Sequence, residues 1–106
     1  DQVASDLAFL AGQRAIEDAG IAAETLDYII VAHNYGDVQS GKIQSDTVPS
    51  LASRVKKKLG ISNPKCVAYD LLFGCPGWNE GVLHANAFKA LYGHWRRNAF
   101  PCYRSF

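Results

Sequence analysis

Lys65-Cys66-Val67-Ala68-Tyr69-Asp70-Leu71-Leu72-Phe73-Gly74-Cys75-Pro76-Gly77 passes from a short apolar run, through a glycine-flanked junction, into a helical pattern. Residues 65–72 read as a strand, and 73–77 as a sharp turn. A helix follows from about 76 to 91, with Val82, Leu83, Ala85, Ala87, Phe88 and Leu91 supplying a mostly apolar face. Pro76 suits the first helical position, where no N–H is needed. Upstream, Asp27-Tyr28-Ile29-Ile30-Val31-Ala32-His33 is a second continuous apolar run rich in β-branched residues. Such a run fits a strand covered on both faces, as in a parallel sheet.

Each strand is preceded by a helical pattern. In 4–19, Ala4, Leu7, Ala8, Ala11, Ala15 and Ala19 recur at three- and four-residue steps, and Gly20 is a stop. A helix is predicted over 48–59, with Pro49 in its first turn and Gly60 as its stop. Residues 34–47 form a long polar loop, and Asn63-Pro64 a turn. The order is therefore α-β-α-β-α, an α/β class with a small parallel sheet of two or three strands and right-handed crossovers. Two strands make too small a sheet to stand alone, so the chain is expected to be part of a larger α/β fold.

Composition excludes several classes. The 106 residues carry 48% hydrophobic and 20% charged side chains with net charge +1. That suits a globular core rather than disorder and gives no basic field for nucleic acid. No apolar run approaches the roughly 20 residues of a membrane span. The start, Asp1-Gln2-Val3-Ala4-Ser5-Asp6, is not a signal peptide, and the lack of any Met hints at a start inside a longer gene product. Cysteines at 66, 75 and 102, an odd count without regular spacing, argue against a disulfide framework. Reduced thiols and a cytoplasmic location are expected.

Cys75 sits where a strand ends and a helix begins. Unpaired N–H groups at a helix start carry partial positive charge and stabilise a thiolate. Gly74 and Gly77 leave room beside the sulfur, as in a nucleophile elbow with Cys in place of Ser. Cys75 is thus the candidate catalytic residue.

Several blocks in order resemble the amino-terminal part of the 3-oxoacyl-[acyl-carrier-protein] synthase III family (beta-ketoacyl-ACP synthase III), thiolase-superfamily condensing enzymes. They are Ser5-Asp6-Leu7-Ala8, Ala15 through Ile21, Leu26 through Ala32, Pro49 through Gly60 and Tyr69 through Trp78. The resemblance covers roughly residues 4–90 and implies a partial thiolase-like fold over 1–90. It implies that Cys75 takes an acyl group from acyl-CoA and that malonyl-acyl carrier protein is the second substrate, in fatty-acid chain initiation. It implies a homodimer, with 34–60 and 73–90 near the partner, and no bound cofactor. The family's catalytic His and Asn, and one oxyanion N–H, come from its later half. They have no counterpart here, so the fragment itself is expected not to condense.

Other residues are weaker candidates. His33 ends a strand at the carboxyl edge of the expected sheet, where ligands often bind. His84 lies within the third helix and is read as packed or half-exposed; His94 matches no catalytic position. Asn34-Tyr35-Gly36-Asp37 is either a channel wall or a surface loop. Cys66 reads as core, inside a strand. Lys56-Lys57-Lys58 reads as a solvated helix end, with docking of an acidic carrier protein as the alternative. No metal site is expected, since no Cys-x-x-Cys or His-x-x-x-His pair occurs. Two other classes stay open: a thiol-reactive or redox domain using Cys75 alone, and a non-enzymatic dimerisation remnant.

Residues 91–106 form an atypical tail. They show no strand alternation and place Arg96, Arg97 and Pro101 where the resembled family has a buried strand close to Val-Ile-Gly-Ala. One codon choice for Cys102-Tyr103-Arg104-Ser105, read one base later, spells Val-Ile-Gly. A frameshift near Lys89 is the expectation, which the nucleotide sequence tests.

Overall fold

The computed structural model describes residues 2–91 and 98–103, with side chains described over 2–88. Helix α1 (Ala4–Ala19) is followed by strand β1 (Leu26–Ala32), a hairpin of β2 (Asp37–Val38) and β3 (Ser45–Asp46), helix α2 (Leu51–Lys58), strand β4 (Val67–Leu71), helix α3 (Gly77–Leu91) and strand β5 (Asn98–Tyr103). The three longer strands form one parallel sheet in the order β4-β1-β5.

The apolar run of β1 takes the central place that its two-sided hydrophobicity demands. Ile29 and Val31 face α1 and α2, joining Ala4, Ala8, Leu51, Ala52 and Val55 in the main core. Tyr28 faces α3, where its ring stacks on Phe88 at 4.1 Å. Each fully buried aliphatic side chain here contributes about 1.5–3 kcal/mol. The alanine face of α1 buries Ala4, Ala8 and Gly12 with Ile16, a strip at four-residue steps that allows close approach. Gly20 and Gly60 follow the ends of α1 and α2 as expected, and Ile21 and Ile61 donate back to the carbonyls of Ile16 and Lys56.

The structure corrects several expectations. Helix α2 begins at Leu51, so Pro49 lies outside its first turn, joined to Val48 by a cis peptide bond. The start is set by Ser50, whose Oγ accepts the Ser53 N–H, and by a carboxylate from β4. The loop 34–47 contains the short antiparallel hairpin β2–β3. Gly36 there has φ +76°, and a Cβ would stand 2.6 Å from the Asp46 carbonyl oxygen, so the close approach depends on glycine. Finally, part of the tail read as non-strand is a strand, with Val31 opposite Cys102 and Ala32 opposite Tyr103. A parallel strand need not alternate, and Pro101 is compatible with β5 because β5 lies at the sheet edge among the described residues. His94, Arg96, Arg97 and Arg104 lie outside the described residues.

Candidate functional site

Strand β4 delivers Cys75 to the carboxyl edge of the sheet, the side on which β1 also ends. The chain turns at Gly74, whose φ is +73°. The Gly77 N–H donates to the Gly74 carbonyl (3.0 Å), and the Glu80 N–H to that of Pro76 (3.1 Å). Helix α3 starts at Gly77, so Pro76 lies just before it rather than within it. Cys75 is exposed. Beside it in sequence, Leu72 (62% exposed), Phe73 and Trp78 are large apolar side chains open to solvent, and Val82 and Leu83 extend the surface along α3. A thiol at a strand-to-helix turn, with uncovered apolar residues on either side of it in sequence, can act as a nucleophile toward a substrate or docked segment that covers those groups.

His33 is not at the surface: it is 1% exposed. Its Nε2 lies 2.8 Å from Asp70 Oδ2, and its Nδ1 accepts the Gly36 N–H at 2.8 Å. Nδ1 therefore carries no proton, and Nε2–H is the donor to the carboxylate. Asp70 also receives the first amides of α2, Leu51 N–H on Oδ2 and Ala52 N–H on Oδ1, both at 2.8 Å. One carboxylate thus caps a helix N-terminus and ties it to the ends of β1 and β4.

Asp37 does the same for α1. It accepts Ser5 N–H at 2.7 Å and Ser5 Oγ–H at 2.6 Å, with Arg54 Nη1 at 3.0 Å. Neither carboxylate was singled out by sequence reasoning for this role. The available signal was a charged residue set in or beside an apolar run.

His84 sits half-exposed on α3, with Nδ1 2.8 Å from the Tyr69 hydroxyl. Burial raises the Tyr69 phenol above its ordinary value. The lysine run is partly engaged: Lys56 Nζ donates to the Cys66 carbonyl at 2.7 Å, and Lys58 pairs with Asp6. Cys66 lies just before β4 rather than within it, and is buried. Among the described residues no three metal-ligating side chains come together. No helix among them is long and apolar enough to cross a membrane.

Three exposed carboxylates titrate below their ordinary values. A hydrogen bond from Lys58 lowers Asp6, the Ser62 backbone N–H lowers Glu24, and a hydrogen bond from Arg54 lowers Asp46. A carboxylate with a depressed folded pKa adds stability above its unfolded pKa, and that stability is lost as pH falls through the folded one. The ordinary values are 3.8 for the two aspartates and 4.5 for the glutamate. The urea midpoint is therefore expected to hold from pH 7 to about 5 and to fall below about 4. A fall already between pH 7 and 6 contradicts this assignment.

Comparison with known proteins finds relatives by sequence and by fold. No family model matches the chain. It is 36% identical over 88 residues to a beta-ketoacyl-[acyl-carrier-protein] synthase III of Staphylococcus saprophyticus, covering 83% of this chain and 25% of that protein. It is 41% identical over 78 residues to a synthase III of Vibrio cholerae, covering 74% of this chain and 19% of the relative. A tetronic acid condensing enzyme superposes with TM-score 0.73 at 27% identity, over 94% of this chain and 27% of that one. The beta-ketoacyl-[acyl carrier protein] synthase III of Thermus thermophilus superposes with TM-score 0.68 at 35% identity, over 87% and 25%. The chain spans about a quarter or less of the curated relatives cited. By sequence and by fold, the chain is a thiolase-like relative of the beta-ketoacyl-[acyl-carrier-protein] synthase III proteins.

Proposed function

We propose that this chain is the nucleophile-bearing segment of a Cys-dependent acyltransferase of the condensing type. The observation that carries the reading is an exposed Cys75 at the strand-to-helix turn of a chain related to such synthases. In the first half-reaction, the Cys75 thiol loses its proton and its sulfur attacks the thioester carbonyl of an acyl-CoA. The bond from that carbonyl to the CoA sulfur breaks. CoA leaves as its thiol, taking up a proton, and the acyl group stays on Cys75.

In the second half-reaction, malonyl-acyl carrier protein loses CO2. The electron pair of the broken carbon–carbon bond attacks the acyl-enzyme carbonyl. The Cys75 thiolate is released and reprotonated, and the product is a 3-oxoacyl-carrier protein.

This second step needs groups that polarise the malonyl thioester and a complete oxyanion hole. The resemblance assigns these to a later segment of the family. Losing one oxyanion donor costs about 10²–10³ in rate. The 106-residue chain is thus proposed to load slowly and to release no 3-oxoacyl product, while a protein of the relatives' length would complete the cycle. Exposed apolar side chains around Cys75 and the outer edge of β4, unpaired among the described residues, support a homodimer in that longer form. The test is incubation with acetyl-CoA, alone and with malonyl-acyl carrier protein. Acetylation at Cys75 without condensation product is expected; modification elsewhere, or none, defeats the reading.

A further inference from the structure

The stretch that presents Cys75 is held mainly at its two ends. Leu72 and Phe73 are more than half exposed, so packing does little to fix it. At the helix end, the Gly77 N–H donates to the Gly74 carbonyl. At the strand end, the last residues of β4 are gripped by His33. Its backbone N–H donates to the Leu71 carbonyl at 3.0 Å, and its ring Nε2–H donates to Asp70 at 2.8 Å. Asp70 is itself fixed by the two α2 amides, and His33 by the Gly36 N–H. No buried side-chain polar atom among the described residues lacks a partner, so the grip contains no slack acceptor or donor.

We propose that His33 is a positioning residue for the Cys75 turn, acting through its Nε2–H bond to Asp70. The inference deepens the acyl-transfer reading and rests on it for its catalytic meaning. The geometry is specific to one ring nitrogen. A glutamine at 33 can place an N–H donor near the Nε2 position, keeping the bond to Asp70 and losing the one from Gly36. An asparagine can place an acceptor near Nδ1, keeping Gly36 and losing Asp70. A role in general stability alone raises exchange at Gly77 and at the control amides together in either variant, although the bond lost to the Asp70 carboxylate is the stronger of the two. A positioning role separates them.

The experiment compares the wild-type chain with His33→Gln and His33→Asn. Hydrogen exchange is read at the Gly77 amide, with the Ile21 and Ile61 amides, which donate outside the Asp70 network, as control, and single-turnover acetyl transfer from acetyl-CoA to Cys75 is followed. In His33→Asn, the Gly77 amide is expected to exchange about tenfold faster relative to the control amides, the scale of one charge-assisted hydrogen bond. Acetyl transfer is expected to slow by a similar factor without a change in half-saturation. His33→Gln is expected to stay within about threefold of wild type in both. Equal acceleration in the two variants, or none in His33→Asn, overturns the proposal. If His33→Asn does not fold, His33→Gln alone decides, because tenfold faster exchange at Gly77 there overturns it. If wild type takes up no acetyl group, the acyl-transfer reading fails, while the exchange measurement still decides the positioning role.

Discussion

Asp70→Ala is expected to cost the chain about 3–5 kcal/mol, the scale for leaving three buried neutral donors without the carboxylate that accepts from them. Three donors converge on this carboxylate: His33 Nε2–H and the Leu51 and Ala52 amides. The Asp70 side chain is 9% exposed and that of His33 1%, so water replaces little of what is lost. The α2 amides are the first of an eight-residue helix with no acidic residue in its own first turn. Asp70 supplies that negative charge from a neighbouring strand. Asp70→Asn keeps one acceptor oxygen and is expected to fall between wild type and Ala. Urea denaturation followed by circular dichroism measures the loss. A change below 1 kcal/mol in Asp70→Ala would show that the network is incidental.

Alkylation separates the two described cysteines by a wide margin. Cys66 is 3% exposed, and burial pushes its thiol above the ordinary value. It can react only when the chain opens, and a raised pKa leaves less thiolate when it does. Cys75 is exposed and needs no opening. In a Cys102→Ser background, iodoacetamide near neutral pH is expected to label Cys75 at least about 10²-fold faster than Cys66, given an opening free energy of a few kcal/mol. Peptide mass spectrometry over time gives both rates. Comparable rates would mean that the core around Cys66 is not closed, and faster labelling of Cys66 would remove Cys75 as the accessible nucleophile.

Local chemistry made the central strand and three helices readable. The run from Asp27 to His33 has one strand interpretation, and Gly20 and Gly60 end helices whose apolar positions recur with helical spacing. The place of Cys75 at a strand-to-helix turn was readable because glycine, proline and a thiol meet between a strand and a helix. What escaped sequence reasoning depends on groups far apart in the chain. His33 and Asp70 are 37 residues apart, and Asp37 and Ser5 are 32 apart, so no local pattern announces either contact. The start of α2 shifted past Pro49 for the same reason, because its first amides are claimed by a residue on β4. Strand β5 was missed because a parallel edge strand need not alternate and can accept Pro101.

The account turns on Cys75 as an acyl acceptor. The direct measurement is intact-protein and peptide mass spectrometry of the chain after incubation with acetyl-CoA, beside Cys75→Ser and Cys66→Ser. The account predicts one acetyl group, located on Cys75, present in Cys66→Ser and absent in Cys75→Ser. Acetylation that persists in Cys75→Ser, or a wild-type chain that alkylates at Cys75 yet takes no acetyl group, would contradict it.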